Sequence, residues 1–306
     1  MIDLMSRNIG IGIVAPSGYA PDAALVDLAV ERLRAQGCRV TLFCNPADKV
    51  ERFGASDAER VMQLHAAASD PAVDIVIALR GGYGLSRILP HIDFNLLAQS
   101  GKLFVGHSDF TACQMGLLAA TKSISFAGPM ICDDFGRDVL SQFTLDHFWR
   151  CMTSAEITLT SDHPSNQSVQ VAGQLWGGNL AMLAHLIGSP YLPQIEQGIL
   201  FLEDINEHPF RIERMLLQLL HAGVLQNQQV IVLGDFSGGR LSAYDNGFDL
   251  DAVVCHLRSR ITVPIVTGLQ FGHVTDKVTL PVGAQATLNA DRTGWSLHVE
   301  HYPHLT

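Results

Sequence analysis

Leu103-Phe104-Val105-Gly106-His107-Ser108-Asp109-Phe110-Thr111 is the stretch on which the fold turns. A short apolar run ends at a glycine and is followed by serine, an acid and threonine. Ala112-Cys113-Gln114-Met115-Gly116-Leu117-Leu118-Ala119-Ala120 then reads as a helix. An apolar run of this length is a buried strand. A strand that turns sharply into a helix leaves one side chain at the corner, in front of free N–H groups and the positive end of the helix dipole. Two readings of Ser108 follow. It is a nucleophile with an oxyanion donor beside it, or it is only a helix cap, a position that serine, threonine and aspartate all favour. Phe110 stands where the G-x-S-x-G pattern requires glycine, so that motif is not met.

Working outward, the same alternation repeats. Ile9–Ala15 is an apolar strand ending in Pro16-Ser17-Gly18, and a helix runs from Pro21-Asp22 to about Gln36 with Leu25, Leu28, Ala29 and Leu33 on one face. Val40–Cys44 is a second strand, Ser56-x-x-Glu59 a capping box, and Val73–Leu79 a third strand ending in Arg80-Gly81-Gly82-Tyr83-Gly84. Leu103–Val105 and Ser125–Ala127 complete the set. Strands alternating with helices predict a doubly wound parallel sheet, with ligands beyond the carboxyl ends of its strands. The corners near Ser17, Gly82 and Ser108 should meet there. No G-x-G-x-x-G follows the first strand, and no P-loop pattern is present.

Met152–Ser168 is polar, which suggests an N-terminal α/β domain over 1–152, a linker over 153–168 and a second domain over 169–306. Strands are expected at Val169–Ala172, Ile199–Leu202, Val230–Leu233 and Ile265–Thr267, with helices at about Asn179–Ile187 and Pro209–Ala222. Alternation at Val278–Pro281, Ala284–Leu288 and Trp295–Val299 makes this half β-rich.

The 306 residues are 47% hydrophobic and carry a net charge of −10, which disfavours nucleic acid and anionic membranes as partners. No run long enough to span a membrane occurs, and Met1–Asn8 lacks the apolar region of a secretory signal. The cysteines at 38, 44, 113, 132, 151 and 255 form no C-x-x-C pair and read as buried thiols in a reducing cytosol. There is no H-E-x-x-H, and Asp133-Asp134 lacks partners at ligand spacing, so no metal and no cofactor are expected.

A serine nucleophile needs a base, and the base needs an orienting acid. Among 13 histidines, His273 stands out in Gly268-Leu269-Gln270-Phe271-Gly272-His273-Val274, just past a strand. It points into a cleft or lies on a solvated loop. Glu203 ends the apolar strand Ile199–Leu202 and is either a solvated strand end or a functional acid. Glu213 and Arg214 read as exposed or ion-paired residues, whereas Arg211 could face the cleft.

Taken together, Arg80-Gly81-Gly82-Tyr83-Gly84, Gly106-His107-Ser108-Asp109, Gly177-Gly178-Asn179-Leu180, Leu202-Glu203-Asp204, Arg211–Leu216 and Gly272-His273 resemble the LD-carboxypeptidase family of serine peptidases, in order and over nearly the whole chain. The resemblance implies Ser108 as nucleophile, His273 as base and Glu203 as the acid that orients it. It implies an oxyanion hole from the N–H of Asp109 and a glycine N–H of the Arg80–Gly84 turn, with Gly82 favoured over Gly81. Arg80 and Tyr83 should stand near the acyl site, and Trp176–Asn179 should line the cleft from the second domain. Arg80 or Arg211 is a candidate to hold a substrate carboxylate.

The implied reaction is hydrolysis of the bond between the L-centre of meso-diaminopimelate and the terminal D-alanine of a muramyl tetrapeptide. A homodimer and a cytoplasmic peptidoglycan-recycling role go with it. The alternative is an immunity hydrolase of the same family that cleaves a peptidyl-nucleotide antibiotic. Two further rivals weigh less. An α/β-hydrolase esterase shares the Ser…acid…His order but has the missing glycine, and a sugar-binding protein of two lobes would need a secretory signal.

Overall fold

The structure is a computed structural model that describes residues 8–306, so the reading of Met1–Asn8 falls almost wholly outside it. Five strands form the core of the first sheet: β1 (Gly10–Val14), β2 (Arg39–Leu42), β3 (Ile75–Ala78), β4 (Leu103–Gly106) and β5 (Ser125–Ala127). They lie parallel in the order β2-β1-β3-β4-β5. β1, β3 and β4 are buried along their whole length, as their continuous apolar runs require, whereas β2 is an exposed edge. The helix Asp57–Ser69 opens with the anticipated capping box between Ser56 and Glu59. Strand order reverses between β1 and β3, so their carboxyl ends part and leave a crevice. Ser17, Arg80 and Ser108 all follow strands that end on this edge.

The second sheet holds β6 (Glu156–Ser161), β7 (Val169–Asn179), β8 (Ile199–Glu203), β9 (Val230–Leu233) and β10 (Ile265–Thr267). After β11 (Leu280–Val282) come β12 (Gln285–Asp291) and β13 (Gly294–Glu300). The sheet order is β10-β9-β8-β7-β12-β13-β6, with β7 to β10 parallel and the other pairings antiparallel. Helices Leu180–Leu186, Pro209–His221 and Leu250–Arg260 belong to this half. The Pro209–His221 helix starts on proline and buries Ile212, Leu216, Leu219 and Leu220. The fold is a two-domain α/β arrangement with mixed sheets.

Three sequence expectations change. The stretch 153–168 is not simply a linker, because β6 lies in it and pairs with β13. Only Ile157 and Leu159 face the core there, between exposed polar residues, so the period-two signal rests on two side chains. Leu280–Val282 leaves the second domain and pairs antiparallel with β5, as the sixth strand of the first sheet. Pro281 fits this edge position, where no N–H is needed on the outer side. Finally, β7 runs on to Asn179, well past Ala172.

Candidate active site

The corner after β4 is sharp. His107 is extended, Ser108 has φ of 61°, and a tight turn leads into the helix Thr111–Thr121. Positive φ is uncommon for a residue with a Cβ, and strain of this kind concentrates at functional corners. The Asp109 carboxylate holds the corner in place. Its Oδ2 accepts from Ser17 Oγ at 2.7 Å and from the Leu85 N–H at 2.9 Å. One buried acid thus joins the segments that follow β1, β3 and β4, and burial pushes its carboxyl above the usual range. Gly81 lies against Ser108 so closely that a Cβ there would stand 2.7 Å from both Ser108 Cβ and Oγ. The Gly81 carbonyl accepts from the Gly18 N–H at 3.1 Å. Across a trans peptide the Gly82 N–H points the opposite way, and Gly82 lines the cleft.

The facing wall comes from the second domain. Glu203 ends β8 with a fully buried side chain, and its Oε2 lies 2.8 Å from His273 Nδ1. An ionised carboxylate assigns the proton to Nδ1 and leaves Nε2 as an acceptor. Burial works against a charged His273, but the hydrogen bond and charge of Glu203 outweigh it and raise the imidazole above its ordinary value. The His107 ring meets that of His273 edge to face at 5.1 Å. Burial holds His107 well below the ordinary range, and its Nδ1 bonds the Gly128 carbonyl at 2.8 Å.

Asn179 ties the two walls together. Its N–H donates to Thr111 Oγ1 at 3.1 Å, at the start of the helix behind Ser108. Its Nδ2 donates to Glu203 Oε1 at 3.2 Å and to Asp204 Oδ1 at 3.1 Å, and its Oδ1 caps the next helix at Met182. Asp204 also accepts from the N–H groups of Ala181 and Ile205, while burial pushes it up to about 6. Gly178 allows the close approach, since a Cβ there would come within 2.6 Å of Thr111 Oγ1.

Between the walls lies a cleft of about 480 Å³. Ser108, His273, Gly82 and Arg80 line it, together with Asp133 and Arg137. Arg80 donates to the Tyr19 carbonyl at 3.4 Å, its Nε is buried without a partner, and no carboxylate lies within 4.0 Å of it among the described residues.

Trp176 and Asn179, expected to line the cleft, do not, and Tyr83 and Arg211, expected near or facing it, stand outside its lining. Trp176 is buried in the core, with Nε1 bonded to Gln228, because β7 carries it into the sheet interior. Asn179 supports the acid from behind. Tyr83 packs on Phe53 and under Arg52 outside the lining. Arg211 is exposed on its helix and pairs with Glu207 at 3.6 Å.

Asp133, Arg137 and Lys277 line the cleft without having been read as site residues. For the first two a signal existed, since they follow β5, whose carboxyl end shares the sheet edge with Ser108. The described residues also contain one group at metal-ligand spacing, Glu156, His298 and Glu300, with donor atoms within 4.8 Å of one another. It sits on the β13–β6 edge, apart from the cleft.

Ser108 at its corner and His273, bonded to buried Glu203, line one cleft between the two α/β domains. Residues 11–128 match the N-terminal domain of LD-carboxypeptidase and residues 172–288 its C-terminal domain, and the chain belongs to that family. The muramoyltetrapeptide carboxypeptidase of Oxalobacter formigenes is 52% identical, with a TM-score of 0.92 over 96% of this chain and 99% of that one. A probable murein peptide carboxypeptidase of Bacillus subtilis is 31% identical over 94% of this chain and 92% of its own length. The microcin C7 self-immunity protein, bound to glutamyl sulfamoyl guanosine, shares the fold at 23% identity and a TM-score of 0.87, covering 97% of each chain. Among the described residues, no helix is long and apolar enough to cross a membrane.

Proposed function

We propose that this protein is a serine LD-carboxypeptidase that releases the terminal D-alanine of murein tetrapeptide, with Ser108 as nucleophile, His273 as base and Glu203 as the acid that orients it. The observation that carries the reading is the 2.8 Å contact of His273 with buried Glu203, His273 lining the same cleft as the strained Ser108 corner. Ser108 Oγ attacks the carbonyl of the L-centre and gives its proton to His273 Nε2. The oxyanion is held by the N–H groups of Asp109 and Gly82. Collapse breaks the amide bond, D-alanine leaves with the proton from His273, and an acyl ester remains on Ser108. Water, deprotonated by His273, cleaves the ester and frees the tripeptide. Arg80, a cleft guanidinium without a carboxylate partner, holds the α-carboxylate of the departing D-alanine.

The residues before β6 carry the nucleophile, and those after it the acid and base. Six free cysteines, five of them buried, support a reducing cytoplasm as the working compartment. A homodimer, expected from the family resemblance, completes the reading. The test is mass spectrometry of a defined tetrapeptide and the matching pentapeptide after incubation with enzyme. The tetrapeptide should lose D-alanine, the D-Ala–D-Ala bond of the pentapeptide should stay intact, and Ser108→Ala should lose on the order of 10⁶ in rate. An intact tetrapeptide, or a Ser108→Ala variant with more than about a tenth of the activity, would refute the reading.

A further inference from the structure

Lys277 and Asp134 form a buried ion pair beside the cleft that the proposed chemistry does not use. Each side chain is 3% exposed, and the two residues are 143 positions apart. Asp134 follows β5 in the first domain, and its other oxygen accepts from the Met130 N–H at 2.8 Å. Lys277 stands four residues after His273, on the loop between β10 and β11.

That loop is held from two sides. Its base belongs to the second sheet, where the Leu269 N–H bonds the Leu233 carbonyl and the Asp235 N–H bonds the Phe271 carbonyl. Its tip is bonded to the first domain. Thr144 Oγ1 donates to the Thr275 carbonyl at 2.9 Å and accepts from the Lys277 N–H at 2.9 Å. Ser141 Oγ donates to Asp276 at 2.6 Å, and Arg137 donates to Thr275 Oγ1 at 3.1 Å. Beyond Lys277 the chain enters β11, the edge strand of the first sheet beside β5. His273 therefore sits between an anchor in its own sheet and an anchor in the domain that carries Ser108.

We propose that the Lys277–Asp134 pair and the Thr144 hydroxyl together form a positioning device: they clamp the tip of the His273 loop onto the first domain and so set the spacing between His273 and Ser108. Without the clamp the tip would keep only the Ser141 and Arg137 hydrogen bonds and the β11 pairing, and a shift between domains would change the spacing more readily. Misplacing a reacting group by about 1 Å costs on the order of 10² in rate. An ion pair suits the task because breaking it by domain movement would strand two buried charges. The hydroxyl of Thr144 adds the direction that a flexible lysine stem lacks.

The inference rests on the Ser108–His273 reading, and the test separates the two. Removing one partner leaves a bare buried charge and invites unfolding, so the informative variant is Lys277→Met with Asp134→Asn. It is neutral and keeps an acceptor for Met130. A purely structural pair predicts that this variant recovers both its melting temperature and its kcat. A clamp predicts a melting temperature near that of wild type, an unchanged KM and a kcat lowered about tenfold or more. Lys277→Arg, which keeps the charge, should stay within about threefold of wild type. If the double variant does not fold, Thr144→Val decides: it leaves the ion pair, removes both loop bonds and should lower kcat in the same way. A kcat within about threefold of wild type in the folded double variant, or in Thr144→Val when that variant decides, overturns the clamp. Activity surviving in Ser108→Ala overturns the triad instead.

Discussion

Adding one methyl group at Gly81 should disable the enzyme without unfolding it. The new Cβ of Gly81→Ala would lie 2.7 Å from both Cβ and Oγ of Ser108. Ordinary carbon contacts begin near about 3.5 Å, so the overlap is about 0.8 Å. Neither side can retreat freely. The Gly81 carbonyl is bonded to the Gly18 N–H, and the Ser108 corner is pinned through Asp109 to Ser17 and Leu85. Gly81 is not among the positive-φ glycines, so alanine suits its backbone and the strain falls on the contact. The relief is a rotated or displaced Ser108 hydroxyl. A displacement approaching 1 Å lowers kcat/KM by about 10², equivalent to ~2.7 kcal/mol of transition-state stabilisation, while overpacking costs about 1–3 kcal/mol of stability. The assay is D-alanine release from tetrapeptide, run beside thermal melts. Gly101→Ala is the control: its Cβ would meet nothing within 4 Å, though its φ of 70° strains alanine, so it should lower stability but not activity. A Gly81→Ala enzyme within about threefold of wild-type kcat/KM would refute the assignment of this contact to the nucleophile.

Three further outcomes are expected. Wild type should cleave the C-terminal amide of the tetrapeptide about ten- to a hundredfold less well than the acid, from the loss of one charge-assisted hydrogen bond. Arg80→Gln should bring the two substrates level, and an unchanged preference in that variant would remove Arg80 from the carboxylate site. The acid limb of kcat/KM should lie above the ordinary histidine value of about 6.5, because Glu203 raises His273 and the base works only when neutral. Glu203→Gln leaves only the charge of Asp204 against burial and should move that limb to lower pH, and a limb that stays in place would exclude the pair. Asn179→Ala should cost about 2–4 kcal/mol in urea unfolding, since it removes donors to two buried carboxylates and a helix cap; a cost below about 0.5 kcal/mol would show that these bonds carry no stability.

The sequence by itself determined the five parallel strands of the first sheet and the identity of the triad candidates. Its inner strands β1, β3 and β4 are continuous apolar runs buried on both faces, and its corners carry glycine, so pattern and position coincide at Ser17, Gly82 and Ser108. Glu203 and His273 were legible because each follows a short apolar strand and because the motifs recur in order. What pattern could not carry was anything fixed by pairing between distant segments. Leu280–Val282 reads like its neighbours in the second half, yet hydrogen bonds place it beside β5 in the first sheet. Trp176 and Asn179 sit in a stretch that suggests a cleft wall, but the length of β7 decides that one is core and the other a support for Glu203. The Lys277–Asp134 pair gives no local signal at all, because a lysine and an aspartate 143 residues apart become a buried ion pair only when the domains dock. Local periodicity is a property of neighbours in the chain. The spacing between a serine of one domain and a histidine of the other is a property of the interface, and only the tertiary structure supplies it.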